Sequence, residues 1–448
     1  MRKSRLSGVR GGIALGIASM VVLSACASGE SAPVAPTEST GAGAATEFDW
    51  RAYEGETIRF VAGLQPWQEA VVPLIPEFEE LTGIKVEVEA LPEDQFRQRL
   101  QVELTAGTGE IDVFMTSVLQ DGARFSESGW YADLEPLVQD PILTSPDYNF
   151  GDVSSAVLEG HTFDGVLSAL PIQLEVQMLF YRKDLLEAAG FSGPPTTFEE
   201  LDEMAAAIHN PDENVYGFAS RGRGATTVTQ IASFLRSYGA EFIDAEGNAA
   251  FASPEGIKAL DEYGRLIRTY GPSGSVNNSW EELLALFQSG SIGLWTDNSG
   301  QAKAVRDPAG SSVADVVGYA PMPAGPVKAA QSYFGWAAAI AESSQKKEAA
   351  WYFLQWLTGP DVVTKLQEQG IPGGRVSVGF GPDVPEEFVT AFQTALAGAT
   401  AQLPAVKPVP EVRDAIGAAV VASILGEDVE AAVKNAAAEF DRIVAANP

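Results

Sequence analysis

An α/β fold divided into two lobes is what the sequence predicts, and three observations predict it. Strands and helices alternate from Thr57 to Val118, a second α/β series follows further along, and no repeat or long biased insert interrupts either. In the first series "TIRFVAGL" (57–64) reads as a compact strand. "PWQEAVVPLIPEFEELTG" places Trp67, Val71, Leu74, Ile75, Phe78 and Leu81 at helical spacing, with Gly83 as a C-terminal stop. "IKVEVEAL" alternates as a strand does, "EDQFRQRLQVELTAGTG" reads as a helix, and "IDVFMTSV" as a third strand. That order argues for a mainly parallel sheet with helices on both faces. Ligands bind such open sheets beyond the carboxyl ends of the strands, so "AGLQPW" and "FMTSVLQDG" fall on a candidate rim.

In the second series "LFYRKDLLEAAGF" and "TTFEELDEMAAAIHN" read as helices around the turn "SGPP". "NVYGFAS" reads as a strand, "TTVTQIASFLRSYG" as a helix, and "EFIDAEGNAAF" as a hairpin. The helices "PEGIKALDEYGRLIRTYG" and "SWEELLALFQSG" follow, the latter entering the strand "SIGLW". Near the end "DVEAAVKNAAAEFDRIV" puts Val429, Val433, Ala436, Phe440 and Ile443 on one helical face.

The start of the chain is of another kind. Arg2, Lys3, Arg5 and Arg10 precede "GIALGIASMVVLSA", an apolar run shorter than the roughly 20 residues of a membrane span. This is the pattern of a secretory signal. Leu23-Ser24-Ala25-Cys26 resembles the lipobox of bacterial lipoproteins, which implies cleavage after residue 25 and lipidation of Cys26. Cys26 is the one cysteine of the chain, so an internal disulfide is excluded. Residues 26–45, rich in Ala, Gly, Ser, Thr and Pro, read as a flexible tether.

The 448 residues carry 60 acidic and 29 basic side chains, a formal charge of −31. A field of that sign repels phosphate backbones and argues against nucleic-acid binding. No HExxH helix, GxSxG elbow or phosphate loop occurs, and with 60 carboxylates a chance glycosidase-like pair carries no weight. Histidines are scarce: His161 is expected on a surface loop and His209 at a helix end. No cofactor or metal is expected.

Several ordered blocks carry a resemblance. "LPIQLEVQMLFYRKDLLEAAGFSGPPTTFEELDEMAAAI", "LFQSGSIGLWTDNSG" and "YFGWAAAIAESSQKKEAAWYFLQWLTGPD" resemble the family 1 extracellular solute-binding proteins, receptors of carbohydrate ABC importers. "YGFASRGRGA", "YGPSGSVNNSWEELLALFQSG" and "GYAPMPAGP" resemble the members that bind polyols and simple sugars. The resemblance implies a type II, two-lobe periplasmic-binding-protein-like fold with crossover strands at a hinge. It places one lobe at 46–173 plus 332–403 and the other at 174–331 plus 404–448. It implies a monomeric receptor, anchored outside the membrane through Cys26, that hands a sugar or polyol to a permease. A receptor for another solute such as a peptide, and a surface glycoside hydrolase, are the alternatives.

A sugar cleft needs bidentate polar groups and flat aromatic faces. Glu175 sits in an otherwise apolar stretch, where an unpaired carboxylate is costly, and it matches a ligand-contacting acid of the maltose-binding members. Gln173 and Gln177 share its face if the segment is a strand. Gln65 and Trp67 follow the first strand, though Trp67 fits a core stripe equally well. Ser117 and Gln120 match ligand positions by location. Asp297 and Asn298 suit hydroxyls or a turn. Trp336 matches a stacking aromatic, whereas Trp351 and Trp356 read as core. Arg221 is expected to meet a ligand hydroxyl or form a cleft ion pair, and Arg375 matches a position that reaches the cleft.

Overall fold

The computed structural model describes residues 47–447, so the expected signal (1–25), tether (26–45) and Cys26 lie outside the described residues. β1 (Thr57–Gly63), β2 (Lys85–Leu91) and β3 (Val113–Thr116) are parallel neighbours with β1 central. β4 (Thr162–Phe163) and β5 (Val166–Leu167) form a separate hairpin. β6 (Leu170–Arg182), β7 (Tyr216–Ala219), β8 (Ile292–Asn298), β9 (Val317–Pro321), β10 (Gln331–Ile340) and β11 (Ala399–Ala401) complete the sheet. Its order is β2-β1-β3-β10-β6-β8-β7, with β11 on β10 and β9 on β6.

Two long antiparallel strands tie the halves of this sheet together. β6 pairs with β10 up to Val176 and with β8 and β9 from Gln177 onward. β10 reaches β3 at its other end. Residues in the middle of β6 therefore lie where the β2-β1-β3 half meets the β8-β7 half.

The segment after β1 is not one helix. It is a short helix Pro66–Val71, a 3₁₀ turn Val72–Leu74 and a second helix Ile75–Thr82. Pro73 and Pro76 lack the N–H that a continuous ladder requires. Trp67, Val71, Ile75 and Phe78 are buried as their spacing predicts, but Leu81 is exposed. Gly83, at φ 73°, ends the second helix in the left-handed region.

Three other expectations change. "LFYR" continues β6, and the helix begins only at Lys183. "EFIDAEGNAAF" forms no strand pair beyond one bridge between Ile243 and Ala249, because the Asp244 carboxylate accepts from the backbone of Glu246 and Asn248 and holds a turn. His161 is buried rather than exposed, its Nδ1 against Val157 O at 2.7 Å, and burial pushes its pKa down to about 4.

The cores also bear on the expected lobe boundaries. Phe180, Phe287, Trp295 and Tyr319 pack together, and helix Glu386–Ala397 seals them with Phe388 and Phe392. Glu387 accepts from the Tyr181 hydroxyl at 2.6 Å. That helix, expected with the lobe of 332–403, thus packs on the β9 side of β6. Helix Val409–Leu425 packs on helix Pro254–Tyr270, where Ser423 donates to Leu260 O at 2.9 Å. A Cβ at Gly264 would lie 2.0 Å from the Ser423 oxygen, so only glycine permits this approach.

Candidate ligand-binding cleft

β6 and β10 set the floor of the cleft. Their register opposes Glu175 to Phe334 and Gln173 to Trp336, and a shift after Trp336 breaks the ladder there. Glu175, Phe334 and Trp336 all line a cavity of about 40 Å³. One water needs about 10–15 Å³ by the same measure, so the space holds only a few. β1 brings Gln65 to one wall. Asn298, at the end of β8, and Arg221, just after β7, form the other.

Glu175 is buried at 5% exposure and receives two weak contacts, from Gln173 Nε2 at 3.3 Å and Asn298 Nδ2 at 3.4 Å. Burial pushes its pKa up to about 7; Arg221 pulls against this and Asp297 adds to it. Arg221 itself is tied to Asp297, with Nε at 3.0 Å from Oδ2 and Nη2 bound to Oδ1. Burial works against its charge, but Asp297 outweighs burial and holds it above the ordinary arginine range. Of the two roles expected for Arg221, the ion pair is the one this geometry contains. Asp297 is fully buried beneath it and does not line the cavity.

Trp336 stands at the cavity with the Arg97 guanidinium 5.1 Å from its ring centroid and the Phe334 ring edge-on at 5.5 Å. Arg97 is in turn held by Glu93 at 2.9 Å and Asp121 at 2.6 Å. The remaining candidates lie elsewhere. Trp67 is core, edge-on to Phe60 at 6.5 Å. Ser117 is fully buried just behind β3. Gln120 does not line the cavity but reaches across to Arg413. Gln177 is structural: its amide donates to Gln230 O at 2.8 Å and accepts from Ser233 at 2.7 Å and Ser332 at 2.9 Å, knitting β6 to β10 and helix Thr227–Ser237.

Arg375 requires correction. It lies outside this cavity, donating to the carbonyls of Thr358 and Tyr148 at 2.7 Å each and of Asn149 at 3.1 Å. A guanidinium spent on three carbonyls fastens a loop and has little left for a ligand.

Sequence reasoning missed Glu93, Trp280 and Arg413, all of which line the cavity. Trp280 Nε1 donates to Glu93 Oε2 at 3.3 Å, joining the first turns of two distant helices. Glu93 follows β2 at the same carboxyl-end rim that singled out Gln65, so topology held its signal. Arg413 is a lone cation on the buried stripe Val409, Val412, Ile416 and Val420, a pattern visible in sequence. Trp280 follows Ser279 in a capping box with Glu282, which marks a helix start but not what its first residue faces.

Residues 62–364 match the bacterial extracellular solute-binding protein family. The chain belongs to that family. It is 35% identical over 272 residues to a mannitol-binding protein of Pseudomonas aeruginosa, covering 60% of this chain and 61% of that protein, under two thirds of its length. It is 30% identical over 375 residues to an erythritol/L-threitol-binding protein of Mycolicibacterium smegmatis, covering 79% and 76% of the two chains. The solute-binding protein of an ABC transporter from Agrobacterium vitis S4, solved with bound D-mannitol, superposes with a TM-score of 0.77 at 28% identity over 87% of this chain and 99% of that one.

This solute-binding protein accordingly has the two-lobe, type II fold. The cleft lies where the halves of its sheet meet, with Glu175 on a strand that serves both. Among the described residues no helix is long and apolar enough to cross a membrane.

Proposed function

We propose that this solute-binding protein captures a polyol or a small sugar outside the membrane and delivers it to the permease of an ABC importer. The observation that carries this reading is the Glu175 carboxylate, buried beside Asn298 and Trp336 and in no ion pair among the described residues. Such a group leaves strong acceptors for hydroxyl donors, and the aromatic wall suits C–H surfaces. The relatives named for mannitol, erythritol and L-threitol, and the neighbour solved with D-mannitol, support the same class.

In this reading Gln65, Glu175, Arg221, Asn298 and Trp336 contact ligand, together with Glu93, Trp280 and Arg413. Closure draws on the two lobes, 46–173 with 332–385 and 174–331 with 386–448, except that β11 returns to β10. A ligand stabilises closure only through contacts to both lobes at once. Saturating D-mannitol is therefore expected to raise the melting temperature and to reduce the radius of gyration in solution scattering. Tight binding with an unchanged scattering curve would remove the closure mechanism. No thermal or calorimetric response to mannitol, ribitol, erythritol or monosaccharides would remove the ligand class.

The anchor is part of the same proposal. Cys26→Ala is expected to leave the protein unlipidated and to move it from the membrane to the soluble fraction. Full membrane retention of that variant would refute the lipid site.

A further inference from the structure

Three guanidiniums surround the cleft, and they are not equivalent. Arg97 is held between Glu93 and Asp121, and Arg221 is held by Asp297. Arg413 has neutral partners: its Nε donates to Ala225 O at 3.2 Å and its Nη1 to the Gln120 side-chain oxygen. Among the described residues it makes no ion pair, and Nη2 makes no hydrogen bond. Arg413 is nonetheless 7% exposed, and it lines the cavity. Burial pulls its pKa down to about 10; Arg97 and Arg221 add like-charge repulsion, and Glu93 and Asp121, neither of them bonded to it, pull partly against this.

Its place in the fold gives this consequence. Helix Val409–Leu425 packs on helix Pro254–Tyr270, in the lobe of β7 and β8. Gln120 follows β3 in the other lobe. The Arg413–Gln120 contact spans the cleft, so opening it returns the guanidinium to water. Closing the cleft empty buries a cation whose hydrogen-bond partners are neutral, with Glu93 and Asp121 offsetting its charge only from a distance, and a buried charge without a bonded anion is costly. A ligand oxygen placed at Nη2 offsets part of that cost.

We propose that Arg413 is a ligand-contacting residue that makes closure depend on the ligand, its free edge donating to hydroxyl oxygens of the bound polyol. The inference rests on the receptor reading above. It adds a specificity rule: a ligand lacking an oxygen acceptor at this edge binds without stabilising the closed form.

Solution scattering and calorimetry on the full mature chain test it, with D-mannitol as the probe. The wild type is expected to be extended alone and contracted with mannitol. Arg413→Met, which keeps the length and removes the charge, is expected to contract without any ligand and to bind mannitol about 10-fold or more weakly. Arg413→Lys is expected to restore the extended ligand-free form. A ligand-free Arg413→Met curve as extended as the wild type overturns the proposal whatever the affinity. So does a contracted Arg413→Lys, because packing rather than charge would then set the gate. Should the Met variant fail to fold, Arg413→Gln carries the same expectation. The ligand-free curves need no polyol, so they report on the gate even if the wild type binds none, an outcome that would refute the receptor reading alone.

Discussion

Asp297→Ala is expected to destabilise the ligand-free protein by about 3–5 kcal/mol, the cost of leaving a buried guanidinium without its anion. Asp297 is fully buried on β8 and Arg221 is 8% exposed, so the few waters the cavity can hold replace the lost carboxylate only in part. The carboxylate also accepts from the Asn298 backbone at 2.7 Å, which fixes the turn that aims Asn298 into the cleft. Stability and binding should therefore fall together. Asp297→Asn keeps the shape and one acceptor and should recover little, because the charge remains unpaired. Removing both partners in Arg221→Met with Asp297→Leu should cost less than Asp297→Ala alone. Urea unfolding without ligand measures all three. A loss below about 1 kcal/mol for Asp297→Ala would show that Arg221 is solvated and that the pair is dispensable.

How much of this was legible in the sequence depended on whether a residue's role is local. Strand and helix identity followed from periodicity wherever the chain obeyed one period, as in β1, β2 and helix Glu93–Ala106. It failed where one residue overrode the pattern, as Pro73 and Pro76 do after Pro66, or where a buried strand carries no alternation. The last four residues of β6, "LFYR", are of the second kind and adjoin a genuine helix start. The site divides in the same way. Glu175 was visible because a carboxylate in an apolar run needs a reason. Gln177 shares its face and its polarity, but only the fold shows that Gln230, Ser233 and Ser332 satisfy it. Arg375 follows two glycines in "IPGGRVSV" and Arg413 lies on an apolar helical stripe, yet neither setting names the side chain's partners. One meets three carbonyls and the other meets a cavity, a difference set in each case partly by a residue more than 200 positions away, Tyr148 for Arg375 and Gln120 for Arg413.

Glu175→Gln separates the carboxylate's contribution to binding from its cost to the fold. Its folded pKa of about 7 lies above the ordinary 4.5, so the folded state holds this proton more tightly than the unfolded state. Below pH 4.5 both states are protonated and Glu175 contributes nothing. Between about 4.5 and 7 the unfolded carboxyl ionises first and stability falls, and above 7 the full penalty stands. The neutral amide removes that penalty, so at pH 8 the ligand-free variant should be more stable than wild type, by roughly 3 kcal/mol if closed and less if open. Binding should move the other way. An ionised Glu175 accepts hydroxyl bonds that the amide accepts less well, so mannitol affinity at pH 8 should drop by roughly 1.5–3 kcal/mol. Wild-type affinity should weaken as pH falls through 7, while the variant's should not change, and the two should converge near pH 5. Calorimetry across that range, with thermal unfolding alongside, reads both effects. A wild-type affinity that is flat from pH 8 to 5 would show that the carboxylate does not receive the ligand, and a variant less stable at pH 8 would assign Glu175 to structure.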